Sequence, residues 1–312
     1  MNPPRVLFLG RTTLDALYRL DRLPDEDTKV FARQFQAAPG GPALTAAITH
    51  ALLGGQSMFV SAVGGGPWAA PVRAELARYR ISLLDLAAGT AYETPLTTVL
   101  VSAANSSRTI VNPPASALPL PPLAARWETA VPASWGAIPP VVLCDGFYLE
   151  ESLALLAACR DAGAALCLDG GSWKAGTAEL APLLTVAICS ERFAIPAQPG
   201  PGQPDHGHGG GADAVFAWFA AKGVPYIAVT RGPRSIQGWD HGRHFEIEVE
   251  RIDVADTLGA GDVLHGAFCH FYASNPEFEP ALRRASAIAT LSCQSLGTQA
   301  WAAQQPPPPP TR

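Results

Sequence analysis

Lysine is nearly missing. Lys29, Lys174 and Lys222 are the only three among 22 basic residues. None of them stands in a glycine-rich loop, and no G-x-x-x-x-G-K-[ST] pattern occurs, which excludes a lysine-clamped phosphate loop. Charge of any kind is sparse at 16%, and the net charge is −5 with a pI near 5.8. That balance excludes nucleic acid or an anionic membrane as the main partner. The six cysteines include no C-x-x-C pair, and several lie in apolar runs, so they read as small buried hydrophobes in a reducing compartment. No stretch of about 18 apolar residues occurs, and Met-Asn-Pro-Pro-Arg leads straight into a strand pattern without an apolar leader. A soluble, cytoplasmic protein is expected. There is no H-E-x-x-H pattern. His265 and His270 are five apart, off the spacing that places two ligands on one helix face, so no metal ligand is assigned.

Hydrophobic residues are plentiful at 48% of 312, enough for a sizeable core. Short apolar runs recur at Val6–Leu9, Phe59–Val63, Val141–Cys144, Ala165–Leu168, Val186–Cys189 and Tyr226–Val229. Runs of this kind suit strands covered on both faces, which are usually parallel. Helical stripes lie between them, such as Trp68, Val72, Leu76 and Tyr79, or Leu153, Leu156 and Cys159. The alternation predicts an α/β fold with a doubly wound, mainly parallel sheet flanked by helices. Segments of about 16–36 and 92–112 break the rhythm with half-polar strands. They predict a small β-strand lid, with Thr97–Val101 and Arg108–Val111 forming a hairpin around Asn105. Residues 113–140 read as a proline- and alanine-rich surface connection. Residues 197–211, with His206 and His208, read as a mobile loop, and 304–312 as a disordered proline-rich tail.

The strongest local signal is Asp256-Thr-Leu-Gly-Ala-Gly-Asp262, followed by the helical spacing of Leu264, Phe268 and Phe271. A glycine turn that opens a helix presents free N–H groups and a positive dipole end, an anion site. A carboxylate there makes chemical sense if Asp262 faces an incoming hydroxyl. It would take that proton while the amides hold the transferring phosphoryl group. Taken alone, Asp262 reads equally well as a helix cap.

These seven residues resemble the C-terminal signature D-T-x-G-A-G-D of the ribokinase, or PfkB, family of carbohydrate kinases. The likeness extends over most of the chain, from Val6 to about Gly297. It implies one kinase domain over residues 1–303, using ATP and Mg2+ to phosphorylate a sugar. Asp262 would be the catalytic base, and the amides of Gly259, Ala260 and Gly261 the anion hole. Gly10-Arg-Thr-Thr-Leu-Asp15 resembles the family's N-terminal glycine-to-aspartate spacing, which implies that Asp15 binds sugar hydroxyls. By itself Asp15 would read as a turn aspartate.

Pro39-Gly40-Gly41-Pro42-Ala43-Leu44-Thr45 resembles the segment G-G-N-A-x-N, with Pro42 and Thr45 replacing two asparagines. This implies that Gly40, Gly41 and Thr45 meet the substrate. Arg108 and Asn112 on the lid are further candidates for it, a solvated lid arginine being the plain alternative. Nucleotide contacts are implied for Thr230-Arg231-Gly232, for Ser190, for Thr257 and for Cys293. Where many members carry N-x-x-E, this chain has Ser190 and Phe193. The family also implies a possible homodimer through the lid.

The altered glycine segment resembles a bacterial branch that includes sulfofructose kinases, and Arg108-Thr-Ile is shared with ketohexokinases. Phe147 stands where that branch has an arginine linked to sulfonate binding, which implies a neutral sugar. A second reading is a sugar- or nucleotide-binding family member that has lost turnover.

Overall fold

The computed structural model describes residues 3–104, 107–114, 138–196, 211–295 and 297–304. The turn at Asn105, most of the 113–140 connection, the loop with His206 and His208, and the proline-rich tail lie outside the described residues. Of 197–211 only Gly211 is described, as the first residue of a helix.

The chain order is β1 (Arg5–Leu9), β2 (Thr13–Leu20), β3 (Gln34–Gly40), α1 (Pro42–Leu52), β4 (Gln56–Ser61), α2 (Ala69–Arg78) and β5 (Ser82–Asp85). Then come β6 (Leu96–Ser102), β7 (Arg108–Val111), β8 (Val141–Cys144), α3 (Leu149–Asp161), β9 (Ala165–Gly170) and a short α4 (Thr177–Leu180). The chain closes with β10 (Val186–Ser190), α5 (Gly211–Ala221), β11 (Tyr226–Arg231), β12 (Arg234–Asp240), β13 (Arg243–Ile247), α6 (Ala260–Ser274) and α7 (Phe278–Ser292). Nine strands form one sheet in the order β13-β12-β11-β10-β9-β8-β1-β4-β5. The pairs from β11 through β5 are parallel, and β12 and β13 add an antiparallel edge.

Each central strand is apolar on both sides because each side meets helices. Val6 and Phe8 join the core beneath α1, α6 and α7, while Leu7 and Leu9 point into the core beneath α3 and α5. This is the two-residue alternation of a strand, with both faces dry. In α3 the buried stripe is Leu149, Ser152, Leu155, Leu156 and Cys159, with Leu153 at its margin. Helix α6 is buried almost all round, a broader contact than a single apolar face predicts.

A separate four-stranded sheet has the order β3-β2-β6-β7, with β6 and β7 antiparallel as expected from sequence. Its first two strands are longer than the half-polar segments suggested, running from Thr13 and on to Gly40. The lid strand β3 therefore delivers its last residue directly to the glycine turn before α1.

Where α1 crosses α6, His50 and His270 meet edge to face, ring centroids 5.1 Å apart. Both Nδ1 atoms are buried without a hydrogen-bond partner among the described residues. Burial first, then the charge of the other histidine, pushes His50 down to about 3; burial and then Arg284 push His270 down to about 4. A folded value below the unfolded one means stability is full above pH 6.5 and is lost as pH falls toward the folded value. Between pH 7.5 and 5 the chain should lose about 1–2 kcal/mol more stability than its His270→Leu variant, read from urea midpoints at both pH values. Equal losses would show that His270 is not held neutral by the fold.

Candidate active site

Ligands of open parallel sheets gather at the carboxyl ends of the strands. There the segments after β1, β8, β9 and β10 meet the start of α6. The loop from Asp256 to Asp262 is held by the carboxylate that begins it. Asp256 Oδ1 accepts the N–H of Leu258 (2.9 Å) and Oδ2 that of Gly297 (3.1 Å). The carbonyl of Cys293 accepts the N–H of Ala255 (2.8 Å) and of Asp256 (3.2 Å), which ties the loop to the end of α7.

Gly259 caps α6 with φ 68°, in the left-handed region, and a Cβ there would overlap Thr298. Ala260 N–H reaches back to Thr257 O at 3.3 Å, and helical bonding resumes at Val263 N–H to Gly259 O (2.8 Å). Among the described residues the N–H groups of Gly261 and Asp262 have no hydrogen-bond partner, as befits a helix start. A Cβ on Gly261 would meet nothing within 4 Å, so the space in front of it is open. Asp262 stands in the first turn and is half-buried.

The lid reaches this loop directly. Arg108, on β7, donates from Nη1 to the carbonyl (3.2 Å) and hydroxyl (3.1 Å) of Thr257. Asn112 follows β7 and accepts the Thr97 hydroxyl at 3.0 Å.

Asp15 lies on β2 of the lid. Its Oδ1 accepts the Thr13 hydroxyl at 2.6 Å, and Oδ2 lies so close to Gly40 that a Cβ there would overlap it. Gly41 has φ 101°, and a Cβ would strike the carbonyl of Arg11. Pro42 suits the first helical position that follows, where no N–H is needed. Thr45 is buried in the first turn of α1, its N–H on Gly41 O at 3.0 Å and its carbonyl accepting the Thr49 hydroxyl. The side of Thr45 is thus turned into the helix packing, while Gly40 borders Asp15, and Gly41 borders Arg11 and Thr12.

Sequence reasoning assigned no site role to Asp145 or Asp169, and weighed His265 only as a metal ligand. Asp145 follows β8 and is buried; it accepts the N–H of Arg11 (2.9 Å) and of Phe147 (3.0 Å). Gly10 is required beside it, since a Cβ would overlap that carboxylate. Asp169, at the end of β9, is buried with Oδ2 lacking a hydrogen-bond partner among the described residues, 3.4 Å from His265 Nδ1. His265 Nδ1 also lies 2.7 Å from Gly261 O, and Nε2 lies 3.1 Å from Ile188 O, so the ring ties the first turn of α6 to β10. The available signal was a carboxylate placed at the end of an otherwise apolar strand.

These carboxylates feel one another. Burial first, then Asp169, pushes Asp262 well above the usual carboxylate range, with Asp145 and Asp15 adding to the rise and Arg108 opposing it. Burial raises Asp145 to about 7 against the Phe147 amide, Lys174 and the Arg11 amide. Asp15 is raised by burial and restrained by Thr13 and Arg11.

On the far side, Ser190 and Thr230 are paired neighbours at the ends of β10 and β11. Ser190 Oγ accepts the N–H of Arg192 at 3.2 Å, and Gly232 turns the chain with φ 63° into β12. Arg231 is occupied: its guanidinium donates to Ser235 O (2.8 Å) and Ser235 Oγ (2.6 Å) and approaches Glu246. Glu191 is paired with Arg234, and Phe193 is core, packed on Trp173 and Phe219. Cys293 is half-buried at the end of α7, its thiol raised by burial. Among the described residues, no three His, Cys, Asp or Glu side chains come together as a metal site.

A parallel sheet with an open helix start at its carboxyl edge, covered by a small β-sheet, defines the ribokinase-like class of α/β proteins. The chain belongs to the pfkB family of carbohydrate kinases, whose sequence profile matches residues 4–305. It is 22% identical to a ribokinase from Lactococcus lactis over 95% of this chain and 92% of that one. A deoxyribokinase from Salmonella typhi is 32% identical over 78 residues, 25% of this chain and 26% of the relative, so that likeness spans about a quarter of its length. The same fold is seen in a ribokinase from Giardia lamblia (TM-score 0.79, 15% identity, 96% of both chains) and in one from Thermotoga maritima (TM-score 0.72, 17% identity, 96% of both). Among the described residues, no helix is long and apolar enough to cross a membrane.

Proposed function

We propose that the protein transfers the γ-phosphoryl group of ATP to a hydroxyl of a sugar or sugar derivative, with Asp262 as the base. The observation that carries this is the placement of a pKa-raised carboxylate beside the unpaired amides of Gly261 and Asp262, under a lid arginine bonded to the same loop. Asp15, supported by Thr13 and pressed on Gly40, would accept hydrogen bonds from the sugar and aim one hydroxyl at Asp262. That oxygen attacks the γ-phosphorus and the bond to the β,γ-bridging oxygen breaks. ADP leaves with the electron pair, and the hydroxyl proton passes to Asp262. The helix-start amides receive charge that develops on the phosphoryl oxygens, a stabilisation that costs no reorganisation. Ser190, Thr230, Gly232, Thr257 and Cys293 would border the nucleotide. Arg231 is the weakest of these candidates, because its guanidinium is already spent on Ser235.

Magnesium does not fit a cage of side chains here: Phe193 is core where an N-x-x-E carboxylate would stand, and Glu191 is held by Arg234. The metal would arrive on the phosphates of ATP, whose charge it neutralises.

The same missing carboxylate favours a second reading, a sugar or nucleotide binder with little turnover. A coupled ADP assay over riboses, deoxyribose, ketohexoses and nucleosides separates the two. Turnover with any sugar supports the kinase, and ATP binding with no turnover on any of them sinks it. The finer substrate choice rests on likeness alone: to ribokinases and a deoxyribokinase by comparison, and to the sulfofructose kinase and ketohexokinase branches by motif.

The lid leaves Phe31, Phe35, Ile110 and Val111 exposed, at 88%, 58%, 48% and 56%. Such apolar exposure suits contact with the lid of a second copy, to be read by sedimentation of the intact chain.

A further inference from the structure

We infer that Asp169 and His265 form a buried ion pair behind the reacting site, which positions the first turn of α6 and tunes Asp262 as the base. The effect on Asp262 rests on the kinase reading above, while the pair itself does not. Both side chains are almost fully covered, at 7% and 6% exposure. His265 stands in α6, three residues after Asp262. Asp169 and Ile188 are partners in the parallel register of β9 and β10, and the His265 ring reaches both of them.

Among the described residues, the polar atoms that meet the ring nitrogens are all acceptors. Nδ1 lies 2.7 Å from Gly261 O and 3.4 Å from Asp169 Oδ2, and Nε2 lies 3.1 Å from Ile188 O. A neutral imidazole has one N–H and one lone pair, so either tautomer would turn a lone pair on one of these oxygens. A ring that donates from both nitrogens serves them all. Its charge then faces Asp169, whose Oδ1 accepts the Gly171 N–H at 3.1 Å and whose Oδ2 has no hydrogen-bond partner among the described residues. A buried carboxylate left without an opposite charge is costly, and the ring removes that cost.

The pair acts through position and through charge. Gly266 lets α6 press on α1, where a Cβ would strike the carbonyl of Ala46. His265 fixes the neighbouring side of the same turn, joining Gly261 to β10 and so holding the helix-start amides. As for charge, Asp169 comes directly after burial in pushing Asp262 up, with Asp145 and Asp15 adding and Arg108 opposing. A cation seated on Asp169 offsets that push. The thiols of Cys144, Cys167, Cys189 and Cys269 also lie around Asp169, and burial pushes up those of Cys144, Cys189 and Cys269. Uncharged thiols do not offset a carboxylate, so the offset falls to His265. The plainer account is a neutral core histidine that joins two carbonyls through one hydrogen bond.

The ring is read directly in the full chain labelled with heavy nitrogen, by long-range proton–nitrogen correlation at pH 8. The signal that vanishes in His265→Gln, or in His265→Asn where the first variant does not fold, identifies it. Two protonated ring nitrogens uphold the pair, and a neutral tautomer overturns it. The pH profile of kcat then tests the effect on Asp262. His265→Gln should move the acid limb up by about one pH unit, because Asp169 is left uncompensated, and Asp169→Asn added to it should bring the limb back. A limb that stays in place in His265→Gln, or that moves equally in the single and double variants, overturns the tuning role. His265→Gln should also lower the plateau of kcat about tenfold with the sugar KM within about threefold of the parent, as a displaced helix start would. An unchanged plateau overturns the positioning role. If no sugar is phosphorylated, the kinase reading has failed, and the nitrogen spectrum alone decides the pair.

Discussion

Replacing Asp262 with asparagine should lower kcat at least a thousandfold while the affinity for ATP changes less than threefold. A thousandfold corresponds to about 4 kcal/mol of barrier, at the upper part of what a positioned base supplies. The amide cannot take the hydroxyl proton. It also leaves the backbone N–H groups of Gly261 and Asp262 in place, because these are set by the left-handed turn at Gly259 and not by the side chain. Nucleotide binding is thereby spared.

The same substitution should raise the melting temperature at pH 8. Burial and Asp169 hold the folded value of Asp262 well above its ordinary one, so the ionised form is disfavoured in the fold. A group of that kind weakens the protein above its folded value, and a neutral amide removes the penalty. The base must be ionised to work, so the acid limb of kcat in the parent should fall well above pH 4 and be missing from the residual rate of the variant. Retention of a tenth of parental kcat would remove Asp262 from the role of base.

The phosphate end was legible because its chemistry is written in consecutive residues. Gly259 is demanded by a left-handed backbone and by Thr298 beside it, Gly261 opens onto free space at the helix start, and Asp256 holds two amides. Six apolar runs sufficed to foresee the central strands, since a strand buried on both faces has no polar position to confuse it. The edge strands β12 and β13 did not stand out, because they are half exposed and mix arginine, glutamine and glutamate with their apolar residues.

The substrate end was harder to read for a different reason. Asp15, Gly40, Arg11, Asp145, Phe147 and Lys174 come from four separate segments, and their meaning is in their contacts. Nothing in the order of residues tells that Gly10 makes room for the Asp145 carboxylate, or that Lys174 and Arg11 share one ring. Likewise His265 has no motif, and only the fold shows its ring between Gly261 O, Ile188 O and Asp169. Arg231 is the converse case, a plausible phosphate contact by position that its neighbours have already claimed.

Asp15→Ala should raise the KM for the sugar at least a hundredfold, with the KM for ATP within threefold of the parent. A carboxylate can accept from two neighbouring hydroxyls, and hydrogen bonds to a charged group are worth about 1.5–3 kcal/mol each. Losing two therefore costs about 3–6 kcal/mol, or about 10² to 10⁴ in affinity. Thr13 holds one oxygen of this carboxylate and Gly40 leaves room for the other, so position as well as charge is specified. Gly40→Ala tests the position alone. Its Cβ would overlap Oδ2 and turn the carboxylate away without removing it, and the sugar KM should rise about tenfold, through the loss of one such bond. Because Gly40 ends a lid strand and Asp15 sits in the strand paired to it, both variants leave the helix-start amides untouched. A sugar KM within threefold of the parent in Asp15→Ala would mean that another group carries sugar recognition, with Asp145 the next place to look. A loss of ATP affinity equal to the loss of sugar affinity would instead mean that Asp15 supports the closed lid as a whole, through the sheet that brings Arg108 to Thr257.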